Sequence, residues 1–282
     1  MISGRVKSEP MATTAHDTRR PGTASATSLA EWTSWHAERE RELALPYGWL
    51  SLAGLHWLDD QARTFPGVPG AWSAGNGAAR VTAAEDEELV VDERVLDGTT
   101  RLSIHESGSA LFATFGDVRL ELLRRDGRFG IRVRDPRTKA RENFSGVPSF
   151  AFDPAWAIPA TFELYSPPHV IMGTTAQPGL RNRLEVVGEL RFGYSGSEYS
   201  LAATAGKGSD LTVYFGDATN GGTTGSWRTL SVPRPRSGKA VLDFNRALNP
   251  PSAFTAYGTC PCPPPGNVLP FAVLAGERAP AW

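Results

Sequence analysis

The stretch ALFATFGDVRLELLRRDGRFGIRVRD (110–135) decides the fold. Apolar and polar residues alternate through 110–115, 118–125 and 129–135, which is the two-residue period of a half-buried strand. Gly116-Asp117 and Asp126-Gly127 separate the runs. Asp-Gly between two alternating segments is a hairpin signal, because a tight hairpin turn needs left-handed backbone at its centre. Three consecutive antiparallel strands therefore come from 26 residues, and the rest of the chain is read outward from them.

Upstream, 79–83, 89–95 and 100–105 continue the same pattern. Downstream, strands are expected over 160–165, 169–172, 183–192, 198–204, 210–215, 227–232 and 239–245. The composition agrees: 29 glycines and 22 prolines in 282 residues favour strands and turns over long helices. The exception is N-terminal. Ser28-Leu-Ala-Glu31 is a capping box, and LAEWTSWHAERERELAL (29–45) carries Leu29, Trp32, Trp35 (or His36) and Leu43 at roughly helical spacing before Pro46 ends it. The aromatic face is expected to pack and Glu38–Glu42 to stay solvated. The segment 48–58 reads as buried strand or turn.

The fold expected is mainly β: an antiparallel meander forming a barrel or sandwich, with one N-terminal helix and a long ordered Pro-rich C-terminal loop. Residues 1–27 are small, polar and basic, and read as a disordered tail. No flexible polar linker interrupts 28–282, which is expected to form a single β-rich domain. Within it, the proline-rich segment 246–274 contains Phe254, Tyr257, Leu269 and Phe271. It is therefore expected to be a cover loop clamped over the sheet rather than a linker.

Charge narrows the function classes. With 29 basic and 30 acidic residues the net charge is −1, which lacks the electrostatic footprint of a nucleic-acid binder. No apolar run approaches a membrane span, and no secretory h-region is visible. Two cysteines cannot build a disulfide scaffold. A cytoplasmic protein is expected, with no nucleic acid, no membrane and no cofactor, and with a homodimer as a further expectation. The scattered histidines give no metal-ligand spacing. Gly-x-Ser-x-Gly and Gly-Lys-Ser/Thr are absent, which disfavours a nucleophile-elbow hydrolase and a phosphate loop.

Several ordered stretches then resemble one family. They are VLDFNRALNPPSAFT (241–255), TCPCPPPGN (259–267) and Ala275-Gly-Glu277, with GWLSL (48–52), LHWL (55–58), RFGIRVRD (128–135) and FGDAT (215–219) in the same order upstream. Across roughly residues 30–278 the chain resembles the bacterial domain of unknown function 1684 (DUF1684) family. That resemblance implies a shared β-rich fold and polar constellation, and no reaction. The chain departs from the family pattern at Ser252, where a cysteine is usual, at Thr224-Gly-Ser-Trp-Arg228, and at Cys262, where a leucine is usual.

The candidate chemistry lies in two clusters. Arg132 and Arg134 share one face of a strand, so their guanidiniums either lie solvated or hold a carboxylate or phosphate in a barrel mouth. Asp135 stands beside them, as substrate contact or turn cap. Asp243, Asn245 and Arg246 precede the Pro-Pro turn; they either tie down the loop or supply a general base and an anion clamp. Glu277 either reaches the cleft or pairs with an arginine. His56, between Leu55 and Trp57, is packed or serves proton transfer.

Three functions follow. The first is a cofactor-independent hydrolase, lyase or isomerase acting on an anionic substrate, with His56 and Asp243 catalytic and Arg132, Arg134, Asp135, Asn245, Arg246 and Glu277 binding. The alternatives are a non-catalytic metabolite binder and a protein-interaction module docking through the Trp-rich helix. The first requires the clusters near 132–135 and 243–246 to share one hollow.

Overall fold

The computed structural model describes residues 27–206, 208–235 and 237–280. The expected tail falls almost entirely on 1–26, outside the described residues. Strands make up 47% and helices 13%, which places the chain in the mostly-β class, with antiparallel sheets that include a half-barrel and one N-terminal helix.

That helix is α1 (Leu29–Leu43). The Glu31 carboxylate accepts from the Ser28 N–H at 3.0 Å, and the Ser28 hydroxyl accepts from the Glu31 N–H at 3.2 Å, so the capping box forms as read.

Where one domain is expected, the described chain forms two compact units, one built from 43–144 and the other from 27–42 with 145–280. Each has its own hydrophobic cluster. A polar linker is not needed to divide a chain when each half encloses enough apolar surface for its own core.

The first unit contains β1 (Leu52–Trp57), β2 (Arg63–Phe65), β3 (Val68–Gly75), β4 (Ala78–Ala83), β5 (Val90–Val91), β6 (Arg94–Val95), β7 (Gly98–Leu102), β8 (Ser109–Phe115), β9 (Val118–Arg125), β10 (Arg128–Arg134) and a one-turn α2 (Lys139–Glu142). One sheet runs β1-β10-β9-β8-β5-β6 and a second β2-β3-β4-β7. Trp72, Val81, Leu89, Leu120, Leu122 and Ile131 are fully buried in its cluster. Asp126 and Gly127 both take positive φ, as the hairpin between β9 and β10 requires. The expected strand 89–95 is instead a two-strand hairpin turning at Asp92-Glu93, both with positive φ. The expectation also omits β2 and β3, because glycine and proline break the alternation of VPGAWSAG (68–75).

The second unit carries β11 (Ala157–Thr174), β12 (Arg181–Tyr194), β13 (Ser197–Ala205), β14 (Leu211–Phe215), β15 (Arg228–Val232) and β16 (Lys239–Asp243). Their order is β15-β14-β13-β12-β11-β16, all antiparallel. The expected strands 160–165 and 169–172 are one long strand, irregular between Leu164 and His169. Pro167 and Pro168 lie there, beyond the pairing with β16, where a missing N–H costs no ladder bond.

The Pro-rich segment is ordered, as expected. Leu269 and Val273 enter the core cluster of the second unit. The Asn267 side chain fastens the segment: its Oδ1 accepts from the Ala202 N–H at 2.8 Å, and its Nδ2 donates to Ala202 O at 2.9 Å and Tyr214 O at 2.8 Å. Asn267 is 2% exposed, so water cannot replace it. Asn267→Ala strands a buried donor and two acceptors; a loss of about 2–3 kcal/mol is expected in urea denaturation. An unchanged midpoint would show that the clamp contributes nothing.

Candidate functional site

In the first unit, β10 places Arg132 directly opposite Glu121 of β9, with Arg134 on the diagonal of the same face. This face is not solvated. Arg132 and Arg134 are 2% and 3% exposed, and the Trp49 ring lies 5.5 and 5.4 Å from their guanidinium carbons. Arg132 donates to Glu121 Oε1 at 3.2 Å, and Arg134 Nε to Oε2 at 2.8 Å. Arg134 also donates to the carbonyls of Tyr47 and Gly48, both at 2.9 Å. Burial pushes the Glu121 carboxyl up, but the Arg134 and Arg132 charges and the Arg134 hydrogen bond outweigh it and hold the group below its ordinary range. The forks expected to bind an anion are thus spent on an internal carboxylate. Glu121 was not singled out in the sequence, because its partner across the hairpin is fixed by register.

Asp135 accepts from the Arg137 N–H at 2.8 Å, so it caps a turn. His56 stacks on Phe65 with ring centroids 4.4 Å apart, and burial lowers its pKa, favouring the neutral ring.

The second cluster belongs to the second unit. Asp243 Oδ1 accepts from the N–H of Asn245 at 3.2 Å and from its side-chain amide at 3.0 Å. Asn245 exchanges hydrogen bonds with the backbone of Asp153, and its carbonyl accepts from Trp32 Nε1 at 2.8 Å. Arg246 pairs with Asp243 at 3.7 Å and lies over the Trp35 ring. Glu277 is 1% exposed and pairs with Arg39 at 3.0 Å, while its other oxygen accepts from the Asn249 N–H at 2.7 Å. These residues tie α1 and the Pro-rich segment to the sheet. Arg39 and Glu40, expected on the solvated face of α1, are on its docking face instead: the Glu40 carboxylate accepts from the Val147 N–H at 2.8 Å.

A further pair escaped the sequence reading. Asp217 and Arg228 are wholly buried and 2.7 Å apart. Arg228 donates onward to Val273 O at 2.9 Å and to Ala275 O. Asp217 accepts from the N–H and hydroxyl of Thr219 at 2.8 and 2.5 Å. Among the described residues, no cluster of metal-ligating side chains is present.

A pocket of about 180 Å³ is lined by Ala176, Ser226, Trp227, Pro250, Ser252 and Ala253. The Ser252 hydroxyl and the Trp227 indole N–H are buried there without a hydrogen-bond partner. Asn249, beside the lining Pro250, has its Oδ1 buried and unpartnered too, although its Nδ2 donates to Arg278 O at 2.7 Å. Three orphaned polar atoms, on Trp227, Asn249 and Ser252, are costly, since each forfeits hydration without return. The sequence signal was present only as the serine standing at the family's cysteine place.

Residues 142–278 match the model of the family described as "Protein of unknown function (DUF1684)". The matched span is narrower than the 30–278 resemblance, and it contains every residue that lines the pocket. No curated protein matches the chain. Among solved structures, the solution NMR structure of an uncharacterized protein from Haloarcula marismortui is 31% identical over 49% of this chain and 78% of that one, with a TM-score of 0.42.

The Glu121 network gives a test of its structural role. Glu121→Gln removes the carboxylate charge shared by two buried guanidiniums, and a loss of about 3–5 kcal/mol is expected in chemical denaturation. Because the folded-state pKa is depressed, the Glu121 contribution is fully present above the ordinary glutamate value. It is lost as pH falls through the lower folded value. The wild type should therefore show an acid-side decline that the variant lacks; parallel declines would remove Glu121 as its source.

Proposed function

From the premise that residues 142–278 belong to the DUF1684 family, we propose that this part of the chain is a small-molecule-binding module with its site in the Trp227–Ser252 pocket. The observation that carries the reading is the pair of buried, unpartnered groups at that pocket, Trp227 Nε1 and Ser252 Oγ. Binding pockets place a few convergent polar groups on otherwise apolar walls, and Ala176, Pro250 and Ala253 supply such walls. No charged side chain lines the pocket. That favours an uncharged polar ligand, such as a small amide or alcohol, over the anionic substrate expected from the arginines. The volume is below the roughly 300 Å³ of pockets for drug-sized molecules, so the ligand has few heavy atoms.

The enzyme reading loses its anion clamp in this proposal, since Arg132 and Arg134 serve Glu121. A cytoplasmic location is part of the proposal, since a chain with only two cysteines has the low cysteine use of a reducing compartment. Among the described residues no helix is long and apolar enough to cross a membrane.

Ligand-observed NMR against a library of small neutral and charged metabolites, followed by titration of the hits, tests the reading. Neutral binders are expected, with affinity reduced about tenfold or more in Ser252→Ala and Trp227→Phe, the equivalent of one lost hydrogen bond. The same two variants are expected to be as stable as the wild type or up to about 1 kcal/mol more stable, because each removes an unpaired buried group. Binding that survives both substitutions, or binders that are only anionic, would sink the proposal.

A further inference from the structure

Elsewhere in the second unit a second set of groups stands in catalytic order. The Ser149 hydroxyl lies 2.8 Å from His36 Nε2. On the other side of the same ring, His36 Nδ1 is 3.7 Å from Glu40 Oε1. Glu40 is itself held by the Val147 N–H at 2.8 Å, so its carboxylate is aimed before any substrate arrives. His36 and Glu40 are four residues apart on α1 and therefore on one face. Ser149 comes from the segment that pairs with Glu277.

The polarity suits a nucleophile and base. Glu40 is the carboxylate nearest Nδ1, and a proton on that nitrogen leaves the lone pair of Nε2 facing the serine hydroxyl, which also lies 3.4 Å from Val147 O. Ser149 also offers its own backbone N–H. The bonds that flank its bridge to Glu277 run from Phe150 N to Gly276 O at 3.0 Å and from Arg278 N to Pro148 O at 2.7 Å. That is the pattern of a non-hydrogen-bonded antiparallel pair, which turns the Ser149 N–H away from its partner strand. A nucleophile's own N–H is one of the donors able to hold the oxyanion of a tetrahedral intermediate.

A docking role alone does not require this hydroxyl. Helix α1 is already anchored by Trp32 to Asn245 O, Arg39 to Glu277 and Glu40 to the Val147 N–H. The surroundings are aromatic: the Trp32 ring stacks on His36 at 5.1 Å, and Phe152 is 6.0 Å from Trp32. His36 keeps 15% of its side chain exposed and Glu40 33%, so the group borders solvent rather than lying sealed in the core.

We propose that Ser149, His36 and Glu40 form a hydrolytic site for small carboxylic esters with an apolar or aromatic acyl or leaving group. Ser149 Oγ adds to the ester carbonyl carbon and its proton passes to His36 Nε2. The carbonyl π pair moves onto oxygen, beside the Ser149 N–H. Collapse breaks the bond to the leaving oxygen, which takes the proton from His36 and departs as the alcohol. Water then adds to the acyl-serine with its proton going to His36, and collapse returns that proton to Ser149 Oγ and releases the carboxylic acid. Ser149 and His36 are the catalytic residues; Glu40 is a positioning residue. The site shares no residue with the Trp227–Ser252 pocket, so either can fail without the other.

The full chain is tested with p-nitrophenyl acetate and p-nitrophenyl benzoate, and with a fluorophosphonate probe followed by peptide mass mapping. The expected result is a single phosphonyl adduct on Ser149, absent from Ser149→Ala, with hydrolysis above the buffer rate. Ser149→Ala and His36→Gln should each lose about 10²–10⁴-fold in kcat/KM, the usual worth of a positioned base and its nucleophile. Glu40→Gln keeps an acceptor for the Val147 N–H and removes only the charge, so kcat should fall with KM unchanged. Should His36→Gln not fold, Ser149→Ala and the adduct map still decide. An unlabelled Ser149, hydrolysis that persists in Ser149→Ala, or a Glu40→Gln variant changed in stability but not in kcat would overturn the assignment.

Discussion

A guanidinium with no access to water must find its partners inside the protein, and Arg228 sets that condition for the second unit. Both it and Asp217 are wholly buried. Isolated, either charge would carry a desolvation cost of several kcal/mol. Together they are tolerable because both terminal nitrogens of Arg228 and the Asp217 carboxylate find partners, although Arg228 Nε stays buried without one. Val273 and Ala275 offer carbonyls, and Thr219 offers an N–H and a hydroxyl. The Val273 carbonyl lies in the Pro-rich segment and that of Ala275 directly follows it, so the segment cannot lift away without leaving a buried cation short of partners. Leu269 and Val273 then enter the core on its account. The proline content that argues against regular structure here acts in favour of order, because restricted φ lowers the entropy lost on fixing the loop.

The first unit answers the same demand differently. Its two buried arginines share one glutamate across a hairpin, under the Trp49 ring. In both units the most deeply buried ion pairs hold backbone and side chains together. Uncharged groups are also left without a partner among the described residues: an indole N–H, a serine hydroxyl and an amide oxygen. Charge marks a residue in a sequence as a candidate, yet burial makes a charge the most expensive group to leave without a permanent partner. Uncharged polar groups cost less to leave waiting.

Much of the architecture was legible because it is local. The capping box at Ser28 and Glu31, the Asp126-Gly127 turn and the alternation through 110–135 are each decided by residues within a few positions of one another. Errors arose where the deciding partner was remote or the pattern was interrupted. Glycine and proline in 68–75 hid β3, and Pro167-Pro168 divided β11 into two apparent strands although pairing with β12 carries it through. Arg39 and Glu40 read as solvated helix charges; Glu277 and Val147, more than a hundred residues away, bring them inward.

The site divides in the same way. Sequence alone established a mostly antiparallel β chain with an N-terminal helix and an ordered proline-rich C-terminal segment, since turn chemistry, periodicity and apolar content are properties of neighbouring residues. Tertiary structure alone decided that Arg132 and Arg134 serve Glu121, that Asp243 and Asn245 brace a loop, that Ser149 meets His36, and that Ser252 and Trp227 keep polar atoms to spare. Whether a polar group is satisfied depends on what the folded chain brings within about 3 Å of it, and no spacing along the chain records that distance.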